Sequence, residues 1–376
     1  MSDIFGKISQ IAEQFSIAGT CIEASIVKSG HINSTYKAVF RQQTGAQRAY
    51  LIQKINSRVF PDPDRLMHNI ALVTAHLREK ILREGGDANR ETLTFLQAQD
   101  GKYYFRDENG ENWRICYFID DTYSCDYVKN SKIFLNSGAS FGIFQRRLAD
   151  LPGSALYETI PDFHDTEKRF AALQAAIDEN RAGRIDTCRN EITFALARQQ
   201  DCGVLVSMIR QRKLPLRVTH NDTKLNNILF DNKTNQGICI VDLDTVMPGL
   251  ALYDFGDSIR FGANTAAEDE PDITKVSLNI DLYQAYTEGY LSTAGQSLTE
   301  TEAALLPFSS KLMTYECGIR FLTDYLNGDA YFKTAYAEHN LVRCRAQLAL
   351  VADMERKLDI MQKINEKAFI ACKGER

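Results

Sequence analysis

Hydrophobic and polar residues alternate along the first third of the chain in a way typical of β-strands. Short β-branched or aromatic runs, separated by polar residues and glycine, predict strands at 22–28, 36–42 and 49–55. After a Pro-Asp-Pro-Asp breaker, apolar residues recur every three or four positions, which predicts a helix that starts near Asp64 and buries one face. The segment 102–119 predicts two strands around an Asn-Gly turn. Together these elements predict a curled antiparallel sheet with a packed helix.

From about Thr122 the apolar residues recur at helical spacing. Two such stripes are formed by Phe141, Phe144, Leu148 and Leu151 and by Phe170, Leu173 and Ile177. Three short apolar runs between 217 and 242 predict strand pieces where two lobes meet, and the tail predicts a long amphipathic helix. The pattern therefore predicts an α+β fold with a small β-rich lobe at 1–121 and a larger, mainly helical lobe at 122–376.

Composition and charge narrow the possible functions. A net charge of −5 gives no basic field for a nucleic acid or an anionic membrane, so neither partner is expected, whereas a small-molecule substrate stays open. The chain has no long apolar run and no signal-peptide pattern, so we expect a cytoplasmic protein. We also expect it to be a monomer or a weak homo-oligomer. The nine cysteines form no C-x-x-C pair and are expected to be reduced.

Candidate chemistry is concentrated in the segment 218–244, which reads VTHNDTKLNNILFDNKTNQGICIVDLD. His220, Asp222 and Asn227 form the pattern H-x-D-x-x-x-x-N, and Asp242 ends an apolar strand. Asp222 can accept the proton of an attacking hydroxyl, while the oxygens of Asn227 and Asp242 suit the hard magnesium ion that neutralises nucleotide phosphates. The pattern therefore predicts phosphoryl transfer with Asp222 as the catalytic base.

A structural interpretation of these residues is the alternative. His220 would brace a turn, and Asp242 and Asp244 would cap neighbouring elements. For His220 we favour that interpretation and expect it to orient the loop through hydrogen bonds. For Asp222, Asn227 and Asp242 the functional interpretation is stronger, because one mechanism explains all three.

The same segment resembles the catalytic loop and metal-binding aspartate of the aminoglycoside phosphotransferase superfamily, which has a bilobal protein-kinase-like fold. Protein kinases carry Arg where this chain has Asn221, and Asp-Phe-Gly where it has Asp242-Leu243-Asp244. The resemblance to small-molecule kinases of this superfamily implies that Asp244 is a second metal-binding residue. It also implies that ATP and Mg2+ are the cofactors.

The turn between the first two strands resembles the short G-x-x-N-x-T/S-Y turn with which these kinases cover the nucleotide phosphates. Candidate nucleotide contacts in it are Gly30, His31, Ser34 and Thr35. Asn33, in the same turn, is a candidate substrate contact. Taken alone, the turn is equally compatible with a simple hairpin.

The third strand departs from the usual kinase pattern. Alignment of its apolar triplet puts Gln53 where these kinases carry a phosphate-binding lysine, and puts Lys54 on the opposite face of an ideal strand. A bulge would let Lys54 contact the nucleotide; otherwise a metal or another group must meet the phosphate charge. Tyr117 and Ile119, which follow the last strand of the first lobe, are the expected hinge contacts to adenine.

Segments spread over most of the chain resemble the N-acetylhexosamine 1-kinases of this superfamily. They are GHINSTY, QKINSRVFPDPDRLMHNI, THNDTKLNN, VDLDTVMPG, YDFGDSIR and ECGIRFLTDYLNGDAYFK. The resemblance implies phosphorylation of the anomeric hydroxyl of N-acetylglucosamine or N-acetylgalactosamine, with Arg320 and Tyr331 contacting the sugar beside Asp222. The alternatives are an ion pair for Arg320 and ordinary half-buried packing for Tyr331.

Other functions stay open. A choline, homoserine, methylthioribose or aminoglycoside kinase would carry the same catalytic pattern, but cationic acceptors call for clustered carboxylates or aromatic cages. The acidic run at 268–270 is expected to be a solvated surface, and Trp113 lies in the first lobe. A catalytically inactive nucleotide-binding regulator is disfavoured because Asp222, Asn227 and Asp242 are all present.

Overall fold

The computed structural model describes residues 2–27 and 33–374. The strands of the first lobe are β1 (Thr20–Val27), β2 (Ser34–Arg41), β3 (Gln47–Lys54), β4 (Phe105–Arg106) and β5 (Asn112–Tyr117). They form one antiparallel sheet in the order β1-β2-β3-β5-β4. The three predicted strands and the Asn-Gly hairpin are confirmed, although β4 has only two residues.

An N-terminal helix, α1 (Ser2–Ala12), covers one face of this sheet. Its buried Ile8 and Ile11 lie in one apolar cluster with Tyr50 and Ile115 of the sheet. The strand pattern does not predict this helix. Apolar residues three or four apart were a usable signal for it, but a helix this short is marginal without the sheet on which it packs.

The chain after β3 is mainly helical and begins with a helix that the sequence predicts. Its helices are α2 (Pro63–Arg83), α3 (Ser131–Arg147), α4 (Thr166–Glu179), α5 (Arg189–Leu196), α6 (Gln199–Arg210), α7 (Ala251–Gly262), α8 (Ile280–Ala294), α9 (Glu300–Leu326) and α10 (His339–Gly374). The side chain of Asp62 caps α2 by accepting a hydrogen bond from the backbone N–H of Arg65. The long helix predicted for the tail is confirmed as α10.

Two small sheets lie within the helical lobe. One pairs β6 (Thr122–Tyr123), β8 (Ile228–Asp231) and β9 (Gly237–Ile240), and the other pairs β7 (Arg217–Thr219) with β10 (Met247–Gly249). The strand pieces predicted between 217 and 242 are therefore confirmed.

The predicted bilobal α+β fold is confirmed. The sheet and α1 share one apolar cluster, whereas the buried face of α2 belongs to the main cluster of the helical lobe. The boundary between 121 and 122 stays a prediction. In the part of the chain that the structure describes, none of the helices has the length and apolar character needed to cross a membrane.

Asp353 ties α10 to the segment before α8. Its carboxylate accepts hydrogen bonds from the backbone N–H of Leu278 at 2.7 Å and from Lys357 Nζ at 2.7 Å. Burial opposes ionisation, but these donors outweigh it and lower the pKa of Asp353 to about 2. Because the folded-state pKa lies below the ordinary value of 3.8, the stabilisation exists above about pH 4 and is lost as the pH falls toward 2.

We expect Asp353→Asn to lower the free energy of unfolding at pH 7 by about 1–3 kcal/mol, because it removes hydrogen bonds to a charged acceptor. The difference from the wild type should shrink as the pH falls from about 4 to about 2. Urea unfolding across this range is the measurement. Asp359→Asn, an exposed change on the same helix, is the matched control, and a difference that stays constant with pH would contradict the prediction.

Candidate active site

A short strand, a loop and a hairpin place the predicted catalytic residues. β7 leads into the loop at 220–227, and Asp242 follows two residues after β9. Asn221 and Asp242 have left-handed backbones, with φ of 63° and 58°. Asparagine and aspartate adopt this conformation more readily than other residues that carry a Cβ. The residue types at both positions therefore suit the turns that they form.

Asp222 and Asn227 are joined by hydrogen bonds. The Asn227 amide donates to the backbone carbonyl of Asp222 at 2.8 Å and to its carboxylate at 3.2 Å. Burial disfavours the charged form of Asp222, but Lys224, whose Nζ lies 2.8 Å from Oδ1, keeps the pKa of this carboxyl below its ordinary value. Asp222 is therefore ionised at neutral pH and able to accept a proton.

Asp242 lies near Asp222, but the pKa of its carboxyl is shifted in the opposite direction. Its side chain is accessible to solvent, yet desolvation by the surrounding protein, followed by the charges of Asp244 and Asp222, raises the pKa of its carboxyl to about 6. Such an excess of negative charge is relieved by a bound cation. No group of three or more His, Cys, Asp and Glu side chains within residues 2–27 and 33–374 forms a candidate metal site. Asn227 and Asp242 are the residues here that would hold a magnesium ion, through an amide oxygen and a carboxylate.

His220, the first residue of the loop at 220–227, is buried. Its Nε2 lies 2.9 Å from the carbonyl oxygen of Val241, and its ring packs edge-on against Phe141 and Phe144. The backbone N–H of Asp222 donates to Nδ1 at 3.3 Å. These contacts agree with a role in orienting the loop.

Asp254, in the first turn of α7, holds the backbone of the loop. Its carboxylate accepts hydrogen bonds from the N–H groups of His220 at 2.9 Å and Asn221 at 2.7 Å. Burial raises the pKa of Asp254 to about 6 in spite of these two donors. The catalytic loop therefore depends on a buried acid that its own sequence pattern does not include.

Asp244 connects the two lobes. Its Oδ1 lies 2.5 Å from Nη1 of Arg114 on β5, and its Oδ2 accepts a hydrogen bond from Asn33 at 2.6 Å. The Asn33 side chain also accepts from the backbone N–H of Asn56 at 2.9 Å. Asp244 stays a predicted metal ligand, but here both of its oxygens contact the first lobe. Asn33, a predicted substrate contact, is likewise engaged by protein groups.

Gln53 lies on the face of the sheet toward Asp244, and Lys54 lies on the other face. Pairing of β3 with β2 and β5 is regular, with Gln53 opposite Thr35 and Arg114. Its amide donates to Thr35 Oγ1 at 3.2 Å and accepts from Arg114 Nε at 3.0 Å. Lys54 pairs with Glu111 at 3.3 Å. Because β3 has no bulge, Lys54 does not reach the Gln53 face, which corrects its prediction as a nucleotide contact.

The other predicted nucleotide contacts are only partly brought to this face. Gly30 and His31 lie outside the described residues. Ser34 is exposed at the start of β2, and the hydroxyl of Thr35 accepts a hydrogen bond from Gln53.

At the hinge, the Tyr117 ring lies beneath the guanidinium of Arg48 and beside Tyr50, on the face that carries α1. The carbonyl of Ile119 accepts from Thr122 at 2.9 Å. Tyr117 and Ile119 stay predicted adenine contacts.

A second group of charged side chains adjoins Asp222. Arg260 pairs with Asp257 and with Glu268, each at 2.8 Å, and Asp257 also acts electrostatically on Lys224. Arg260 and Asp257 are 6% and 7% exposed. Both acids of this group share Arg260 as their basic partner, so the three residues carry a formal charge of −1.

The acidic residues at 268–270 contact basic side chains, whereas the sequence predicted a solvated surface. Glu268 contacts Arg260, Glu270 contacts Lys275, and Asp269 lies 3.2 Å from His339 Nε2. The run therefore borders the charged group beside Asp222.

Arg320 lies on α9, and Tyr331 follows that helix in the chain. The Arg320 guanidinium lies 5.7 Å from the Phe332 ring centre. The acids that neighbour Arg320 on α9 are occupied, because Glu316 accepts from other side chains and Asp324 accepts two backbone N–H groups. Tyr331 is 68% exposed, which disagrees with half-buried packing. Both residues stay predicted sugar contacts.

Residues 134–294, which include the catalytic loop and Asp242, match the model of the phosphotransferase enzyme family. The match covers 161 of the 376 residues, less than half of the chain, and shows a similarity to this family. Solved structures of similar fold include spectinomycin phosphotransferase in complex with ADP and spectinomycin, with a TM-score of 0.56, 12% identity and coverage of 94% of this chain and 98% of that chain.

Two further structures share the fold. The microcompartment-associated aminopropanol kinase has a TM-score of 0.56 and 13% identity, covering 95% of this chain and 98% of its own. Choline kinase from Cryptosporidium parvum Iowa II has a TM-score of 0.51 and 14% identity, covering 97% and 99%. At these identities the similarity shows the fold alone, a protein-kinase-like one.

Sequence reasoning misses four charged residues of the site, namely Arg114, Asp254, Asp257 and Arg260. The last three recur at a spacing of three on α7, an otherwise apolar helix that is buried along nearly its whole length. Charged residues at that spacing in an apolar segment were a usable signal, since buried charges are rarely unpaired. Arg114 interrupts an apolar strand in the same way.

Proposed function

We propose that the protein is an ATP-dependent kinase that phosphorylates the anomeric hydroxyl of an N-acetylhexosamine. One observation supports phosphoryl transfer. The Asp222 carboxylate is ionised and accepts a hydrogen bond from Asn227, and the nearby carboxyl of Asp242 has a raised pKa. Asn227 and Asp242 would hold Mg2+, which neutralises phosphate charge when bound. The resemblance of the sequence segments to N-acetylhexosamine 1-kinases carries the sugar assignment.

In this mechanism, the sugar hydroxyl donates a hydrogen bond to Asp222. The sugar oxygen attacks the γ-phosphorus, the bond from that phosphorus to the β,γ-bridging oxygen breaks, and the hydroxyl proton passes to Asp222. The products are the sugar 1-phosphate and ADP. Most of the rate enhancement comes from positioning and charge stabilisation, which suits a loop fixed by Asp254 and His220.

The charge of the acceptor side supports a neutral substrate. Asp222 is paired with Lys224, and Asp257 and Glu268 are paired with Arg260. A cationic acceptor such as choline or an aminoglycoside would require unpaired carboxylates or an aromatic cage to replace its hydration. A polyhydroxylated neutral sugar instead exchanges hydrogen bonds with charged groups that already have ionic partners.

The test is ADP release with MgATP and a panel containing N-acetylglucosamine, N-acetylgalactosamine, glucose, choline, homoserine and kanamycin. We expect turnover with the N-acetylhexosamines. The methyl glycosides of the same sugars, which lack a free anomeric hydroxyl, are the matched control and should be inert. Turnover of the glycosides would exclude the anomeric position, and turnover of choline or kanamycin alone would replace the sugar assignment.

A further inference from the structure

The face of the sheet that carries Gln53 has a buried positive charge from another strand. Arg114 on β5 is 2% exposed and lies directly opposite Gln53. Protein kinases place a lysine on this strand and pair it with a glutamate of the following helix. The corresponding strand position here is the neutral Gln53.

The helix that would supply the glutamate does not supply one either. The side chain of α2 that contacts the Arg114 guanidinium is Met67, whose Sδ lies 3.9 Å from Nη1. The acids of α2 are paired elsewhere, Asp64 with Lys102 and Glu79 with Arg83. The anionic partner of Arg114 is instead Asp244 of the helical lobe.

We propose that Arg114 is the positioning residue that replaces the lysine and glutamate pair, and that it is required for binding and use of the nucleotide. This inference rests on the phosphoryl transfer proposed above. The guanidinium of Arg114 donates from Nε to Gln53, and its Nη1 contacts Asp244. One planar group therefore orients a side chain from each lobe.

The electrostatic reason is the charge of the polyphosphate. Without Arg114, the adjoining carboxylates of Asp242 and Asp244 would repel the phosphates, and Asp244 would be left as a buried, uncompensated charge. Asn33 alone contributes a neutral donor. Arg114 cancels one carboxylate while Asp242 stays accessible to solvent and to a cation.

The first experiment compares Arg114→Met with the wild type. We expect kcat/KM for MgATP to fall about 100-fold, the usual effect of removing one preorganised charge contact in a water-poor site, while KM for the sugar changes less than twofold. Binding of MgADP, measured by calorimetry, should weaken in parallel. Arg198→Met, which removes an arginine paired with Glu355 away from the site, is the control for loss of an ion pair.

A second-site variant separates charge from packing. Gln53→Lys combined with Arg114→Met returns a cation to the same face from the opposing strand, and should recover at least about tenfold over Arg114→Met alone. Arg114→Lys keeps the charge but loses the planar guanidinium that contacts two groups at once. This variant should fold, and its kcat/KM for MgATP should fall about tenfold. Thermal melting establishes which variants are folded.

The outcomes are distinct from those for the proposed function. Wild-type kinetics for MgATP in folded Arg114→Met or in Arg114→Lys would overturn the role of Arg114, as would a folded double variant without recovery. A wild-type protein that binds MgADP but phosphorylates no acceptor would overturn the proposed function instead. In that case, unchanged MgADP binding by Arg114→Lys, or by folded Arg114→Met, would overturn this inference separately.

Discussion

Asp222→Asn is expected to lower kcat by about 100- to 10,000-fold, the usual contribution of a general base. Asparagine has the same shape and can still accept the Asn227 hydrogen bond, but it cannot take the proton of the attacking hydroxyl. KM for the sugar should change little, because hydrogen bonding to the ground-state hydroxyl is largely preserved. Steady-state ADP release at saturating MgATP measures both constants.

The matched control for this variant is Asp353→Asn, which replaces another aspartate that is well shielded from solvent and lies on α10. We expect the two variants to behave in opposite ways. Asp353→Asn should lose stability and keep its kcat, whereas Asp222→Asn should lose kcat and melt within a few degrees of the wild type. A folded Asp222→Asn with more than a tenth of wild-type kcat would contradict the role of Asp222 as base.

Asp254→Ala is expected to lower the free energy of unfolding by roughly 2–6 kcal/mol, because it leaves two buried backbone N–H groups without an acceptor, at about 1–3 kcal/mol each. The released N–H groups belong to His220 and Asn221, so turnover should also fall. Urea unfolding at pH 7, with the m-value compared to that of the wild type, measures the loss.

Two further variants refine this result. Asp254→Asn keeps one acceptor oxygen and should lose about half as much stability as Asp254→Ala. Asp281→Ala removes an exposed acid from the first turn of α8, and so controls for the general effect of a negative charge at a helix N-terminus. Equal losses for Asp254→Ala and Asp281→Ala would mean that the loop does not depend on Asp254.

The elements with strong periodicity were predictable, and the short N-terminal one was not. The strands of the first sheet, α2 and α10 each contain enough apolar residues at one period to indicate their type. Helix α1 depends on a sheet whose strands lie up to a hundred residues away, including Tyr50 and Ile115, and local periodicity contains no information about such a partner.

The predicted catalytic side chains also divide into contacts that the sequence could reveal and contacts that it could not. Asp222 and Asn227 are five residues apart in one loop, so their spacing alone predicts that they can act together. The partner of Asp244 across the lobes was not predictable, since Arg114 lies more than a hundred residues earlier and reaches Asp244 only through the packing of β5 against the helical lobe.

The sequence by itself determined the bilobal fold and the loop that carries Asp222, because both depend on periodicity or spacing within short segments. The tertiary structure alone decided which basic side chain lies on the Gln53 face of the sheet. Regular pairing of β3 turns Lys54 toward Glu111 and leaves Arg114 of the neighbouring strand beside Asp244. The physical reason is that strand register sets the face of each side chain, and register is fixed by contacts between strands that are distant in sequence.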